Sequence, residues 1–199
     1  TTATGTLTFA AGADGLQGIA LQPYTGKLGA EDVTSTWDSA TNTLTISSAA
    51  RGAIMTVAVD QTTGQYTATL IKPVLHVAGA DENDATLALN YVVTDKDGDT
   101  ASSTLTLTVD DDMPTATATV AATILDDEGL AGGIAGGTGD TAGAATTATG
   151  TLTFAAGADG LQSIALQPYT GKLGAEDVTS TWDSATNTLT ISSAARGAI

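Results

Sequence analysis

Ala85-Thr86-Leu87-Ala88-Leu89-Asn90-Tyr91-Val92-Val93-Thr94-Asp95-Lys96-Asp97-Gly98-Asp99-Thr100 runs on, after a short polar stretch, into Leu105-Thr106-Leu107-Thr108-Val109. Leu87, Leu89, Tyr91 and Val93 fall at every second position, and Leu105, Leu107 and Val109 do the same. A period of two lines one face of an extended chain. Asp97-Gly98 between the two runs is turn chemistry, so the stretch predicts a hairpin with its tip at residues 94–100.

The alternation recurs outward from this hairpin. Leu7 and Phe9, Leu44 and Ile46, Met55, Val57 and Val59, Tyr66, Ala68 and Leu70, and Val120, Ala122 and Ile124 all repeat it. Turn signals separate them at Gly12-Ala13-Asp14-Gly15, Asp38–Asn42 and Thr62-Thr63-Gly64, and no amphipathic helix stands out. Short strands with such turns between them predict an all-β chain of immunoglobulin-like or cadherin-like antiparallel β-sandwich modules. Apolar residues make up 42% of the chain but aromatics only 4%, so small and β-branched side chains must fill a thin core.

Residues 146–199 repeat residues 1–54 at an offset of 145, and only Gly18 against Ser163 differs. That period is the size of a whole domain, so modules rather than single hairpins are repeated. Interchangeable copies suit a rod or a multivalent binder better than an enzyme. The expected layout is a module over 1–112 that ends at an acidic joint. Residues 113–199 then begin the next repeat, either incomplete or completed by neighbouring strands, in an excerpt from a longer array.

The formal charge of −16, from 22 acidic and 6 basic residues, argues against nucleic-acid binding, which needs clustered Lys and Arg. It equally disfavours adhesion to an anionic membrane, and no apolar run is long enough to span a bilayer. Cysteine is absent, which is compatible with a cytosolic chain lacking it by chance and with an extracellular one stabilised by metal instead of disulfides.

More than half of the acids fall in four groups of three: Asp81, Glu82 and Asp84; Asp95, Asp97 and Asp99; Asp110, Asp111 and Asp112; Asp126, Asp127 and Glu128. Crowded carboxylates are costly unless neutralised, and Ca²⁺ accepts 6–8 oxygen ligands with tolerant geometry. The last three groups are the expected Ca²⁺ ligands. At the hairpin tip, acids at i, i+2 and i+4 can converge on one ion, although the glycine at the fourth position and Thr106 at the twelfth exclude an EF-hand. Asp110–Asp112 beside Pro114 resembles the calcium-binding linkers of cadherin-type domains. Asp14 and its repeat partner Asp159 are read as turn formers, and the glycine-rich loop with Asp140 as too short for a β-roll.

Catalytic chemistry has little to stand on. His76 is the one histidine, with no cysteine or evident serine partner, and reads as structural. Trp37 and Trp182 are repeat equivalents expected to pack on a sheet; stacking on sugars is the competing reading, in which each module binds a glycan. The acids lie in hydrophilic turns rather than in the apolar cleft that a glycosidase acid requires.

Several of these stretches, in this order, resemble the long tandem repeats of giant type I-secreted adhesins of Gram-negative bacteria, the RTX adhesins. They are Gly-Ala-Asp-Gly at 12–15 and 157–160, Tyr66 before Leu70, Val93–Thr100, Val109–Pro114, and Gly-Thr-Gly-Asp at 137–140. The chain departs from the family pattern at His76, where Leu75 and Val77 replace the expected Asp and Pro. The resemblance implies non-enzymatic extender modules on the bacterial cell surface, secreted unfolded, folded by external Ca²⁺, and partnered by neighbouring repeats of the same chain.

Overall fold

A computed structural model describes residues 1–79, 82–116, 124–141, 143 and 145–199. The chain divides into two compact units, Thr1–Asp159 and Gly160–Ile199.

The first unit is all-β and antiparallel. Its larger sheet has the order β1 (Thr2–Thr6), β7 (Gln65–Leu70), β6 (Gly52–Val59), β5 (Thr43–Ser48), β4 (Glu31–Asp38), β3 (Thr25–Leu28). The smaller sheet is β2 (Leu16–Leu21), β8 (Ala85–Asp95), β9 (Thr100–Val109). Strands β3 to β7 form a meander, while β1 returns to β7 and β2 leaves to pair with β8.

The alternation of the central hairpin becomes burial. Ala85, Leu87, Leu89, Tyr91 and Val93 of β8 are buried while Thr86, Ala88 and Asn90 are exposed. They meet Leu44, Ile46 and Val57 from the larger sheet in one hydrophobic cluster, which also takes Leu21, Leu28 and Leu107. Full burial of such a side chain contributes about 1.5–3 kcal/mol. The sheets are also tied by polar contacts that behave as extra strand pairing. Gln61 Oε1 accepts the Ile19 N–H at 2.8 Å and its Nε2 donates to the Ile19 carbonyl at 2.8 Å. The Tyr91 hydroxyl donates to the Thr8 carbonyl at 2.7 Å.

Strands β2, β3 and β4 have no counterpart among the alternating runs. Glu31-Asp32-Val33-Thr34-Ser35-Thr36-Trp37-Asp38 buries only Val33 fully, because its other face is solvated. Leu7 and Phe9 lie beyond the end of β1, yet Leu7 is buried and Phe9 packs on the core. Of the expected strand at 120–124, Val120 and Ala122 fall outside the described residues, and Ile124 lies in no strand. Among the described residues the one helical element is a 3₁₀ turn, Asp127–Gly129. No helix among them is long and apolar enough to cross a membrane.

After Val109 the chain adds a two-strand ribbon to the first unit, β10 (Thr115–Ala116) against β11 (Phe154–Ala155). The second unit is a four-stranded antiparallel sheet, β12 (Thr170–Leu173), β13 (Glu176–Asp183), β14 (Thr188–Ser193), β15 (Gly197–Ala198). Its first three strands copy β3, β4 and β5 in bounds and register: Trp182 faces Leu189 as Trp37 faces Leu44. The copies of β1 and β2, residues 147–151 and 161–166, form no strand.

Candidate metal centres

The β8–β9 hairpin delivers the first carboxylate group. Thr94 pairs with Thr100, which places Asp95, Asp97 and Asp99 around the turn. Gly98 at φ 97° takes a backbone conformation that a side chain would strain. Asp95 Oδ1 accepts the Gly98 and Asp99 N–H groups at 3.1 and 2.8 Å, which fixes its carboxylate inward. One carboxylate oxygen from each of the three lies within 4.8 Å of the others. Hydrogen bonding to Asp95, and then the Asp95 charge, hold the Asp97 carboxyl above its ordinary range; the same hydrogen bond lowers Asp95. A cation bound between the two carboxylates would relieve this crowding.

The second group is built by a loop that closes on itself. Asp126 donates its N–H to the Ala145 carbonyl at 2.8 Å, and its Oδ1 caps the 3₁₀ turn through the Glu128 N–H at 3.0 Å. Glu128 Oε1 accepts the Gly136 N–H at 2.9 Å. Asp140, from the glycine-rich loop, joins these two within 4.8 Å. Asp126 Oδ2 is buried without a hydrogen-bond partner, a costly state for a carboxylate oxygen. Asp127 is exposed and belongs to no such group among the described residues.

The acidic joint does not act as a unit. Asp110 is exposed and joins no group among the described residues. The Asp112 carboxylate accepts the Ala158 N–H at 3.1 and 3.0 Å, and so anchors the segment that carries β11. Asp111 turns the other way, with Oδ1 3.0 Å from His76 Nδ1; Asp159 Oδ2 lies 3.6 Å from the same nitrogen. Comparison with protein-family models, curated proteins and solved structures finds no match to this chain. The chemistry therefore rests on the side chains themselves.

Two groups offer oxygen only and suit a hard cation; the third adds an imidazole nitrogen. Sequence spacing brought Asp95, Asp97 and Asp99 together, as it did Asp126 and Glu128. It missed Asp140, Asp159 and His76. Asp140 had a signal in the glycine-rich loop facing the Asp126 cluster, but the contact of Asp159 with His76 is long-range and leaves no local pattern. Of the remaining acidic group, Asp81 lies outside the described residues. Trp37 is half-buried, packs against the core cluster, and flanks a shallow groove of about 370 Å³ with Gln17, Gln22 and Gln61.

Proposed function

We propose that this chain is a non-enzymatic structural extender of a secreted, cell-surface bacterial adhesin, made of immunoglobulin-like sandwich modules and stiffened by Ca²⁺ at its acidic turns. The observation that carries the reading is the convergence of oxygen-only carboxylate groups at two separate loops, one of them with a buried, unpartnered oxygen on Asp126. In a chain of formal charge −16, such turns repel until a cation bridges them. The near-identical copies at 1–54 and 146–199 support a repeated building part, whose partners are neighbouring repeats of the same chain. The family resemblance points the same way.

In this reading Asp95, Asp97 and Asp99 hold one ion, and Asp126 and Glu128 with Asp140 hold another. Asp110, Asp111, Asp112 and Asp127 join neither of these two groups and add only to the negative charge that Ca²⁺ would screen. Extracellular modules bind Ca²⁺ at about 10⁻⁴–10⁻³ M, which suffices outside the cell. Calorimetry of the chain with 10 mM Ca²⁺ against EGTA tests the proposal. One site at the tighter end of that range adds about 2.7 kcal/mol, a rise of roughly 5–10 °C in melting temperature. Asp97→Asn and Asp126→Asn should each remove part of the rise. A melting temperature indifferent to millimolar Ca²⁺ sinks the reading.

A further inference from the structure

His76 stands in an apolar stretch as the chain's one histidine, with a side chain only 7% exposed. Its Nε2 lies 3.4 Å from the Val109 carbonyl oxygen. A carbonyl can only accept, so a neutral ring that bonds here does so through Nε2–H, the tautomer that leaves a lone pair on Nδ1. Nδ1 is buried and has no hydrogen-bond partner, although Asp111 Oδ1 is 3.0 Å away and Asp159 Oδ2 3.6 Å. The short distances and the missing hydrogen bond agree in that tautomer: all three atoms are then acceptors, within 4.8 Å of one another. A proton on Nδ1 could bind one carboxylate; a divalent ion can bind both carboxylates and the nitrogen together.

We infer that His76, Asp111 and Asp159 bind a divalent transition-metal ion of the zinc type, with water completing its coordination. A tetrahedral ion with ligands at about 2.0–2.2 Å spaces its donor atoms about 3.3–3.6 Å apart, close to the separations seen here. Imidazole with carboxylate suits zinc-like ions, whereas Ca²⁺ prefers oxygen throughout. The ligands are already oriented. Asp111 Oδ1 accepts the Asp112 N–H at 2.9 Å, its Oδ2 accepts the Asn83 N–H at 3.3 Å, and Asp159 Oδ2 accepts the His76 N–H at 3.4 Å. Such supporting bonds set ligand direction and basicity. The Asp159 side chain is 34% exposed, which leaves a solvent side for water.

The site has a consequence for the repeat. His76 and Asp111 occur once in the chain, while Asp159 belongs to Gly-Ala-Asp-Gly of the second copy. An ion held here clips the start of that copy to the first sandwich. Asp14, in the same motif of the first copy, joins no such group among the described residues. The site goes beyond the calcium reading and does not depend on it.

The test uses the full 199-residue chain, stripped of metal on a chelating resin. Zn²⁺ is titrated by calorimetry and Co²⁺ by its visible absorption, with the His76 ring followed by ¹⁵N NMR. One equivalent of Zn²⁺ should bind in millimolar Ca²⁺ and shift the Nδ1 resonance, and Co²⁺ should give the intense bands of a four-coordinate site. His76→Asn and Asp159→Asn should each weaken Zn²⁺ by roughly 100-fold, while Asp14→Asn changes nothing. Asp159→Asn, at a partly exposed position, keeps the test open should His76→Asn fail to fold. No Zn²⁺ binding, binding that survives both substitutions, or an Nδ1 resonance unmoved by excess Zn²⁺ overturns the inference. Ca²⁺ stabilisation without Zn²⁺ binding would end this site and leave the extender reading intact; the reverse outcome would do the opposite.

Discussion

Leu28→Ala and Leu173→Ala remove the same atoms from the same local sequence, Tyr-Thr-Gly-Lys-Leu-Gly, and should differ widely in cost. Both leucines end a strand in the same register, Leu28 opposite Glu31 and Leu173 opposite Glu176. Leu28 is 1% exposed within the core cluster, whereas Leu173 is 58% exposed. Truncating a buried leucine loses its transfer free energy and leaves a cavity, about 2–5 kcal/mol in all. At Leu173 less than half of the side chain is out of water and no cavity forms, so the loss stays below about 1 kcal/mol. Total stabilities of 5–15 kcal/mol make the first change severe, roughly 4–20 °C in melting temperature. Urea unfolding followed by Trp37 fluorescence, with Trp182 replaced by Phe, isolates the first unit; a companion chain lacking Trp37 reports the second. The midpoint should fall for Leu28→Ala at unchanged slope. Equal losses at the two sites, or less than about 1 kcal/mol at Leu28, refute the burial argument.

Gln61→Ala removes both hydrogen bonds to Ile19, a residue 3% exposed, and should cost about 1–3 kcal/mol in the same urea assay; a neutral result would show that water replaces the side chain. Acid should destabilise the chain. The Arg51 hydrogen bond lowers the Glu31 carboxyl below its ordinary 4.5; the Thr41 hydroxyl and the Thr63 N–H lower Asp38 and Asp60 below 3.8. A lowered folded value means stabilisation that is complete above the ordinary value and lost as pH falls through the folded one. The melting temperature followed by circular dichroism should therefore hold down to about pH 5 and drop below about pH 4. Asp97, raised by Asp95, works in the other direction: its favourable share is present at low pH and lost as pH rises through the raised value, so neutral solution leaves repulsion for a cation to remove. A chain that melts higher at pH 3 than at pH 6 contradicts this assignment.

The hairpin at 85–109 and its acidic tip were legible because every determinant is local: alternation, an Asp-Gly turn, and acids two residues apart. The pairing of β1 with β7, the departure of β2 to β8, and the meeting of His76 with Asp159 were not legible, since each joins residues 59 or more positions apart. The duplicated segment separates the two kinds of information within one chain. Residues 25–48 and 170–193 are identical and fold into the same three paired strands, so neighbouring residues and tight turns suffice for that meander. Residues 2–6 and 16–21 are strands, yet their copies at 147–151 and 161–166 are not, and Leu21 at 1% exposure becomes Leu166 at 45%. Strands β7 and β8 have no second copy among the 199 residues. Local pattern determined which segments were able to extend. Whether an edge found hydrogen-bond partners and an apolar face to cover it was decided by the tertiary structure, because an isolated strand gains too little to offset the entropy of ordering it.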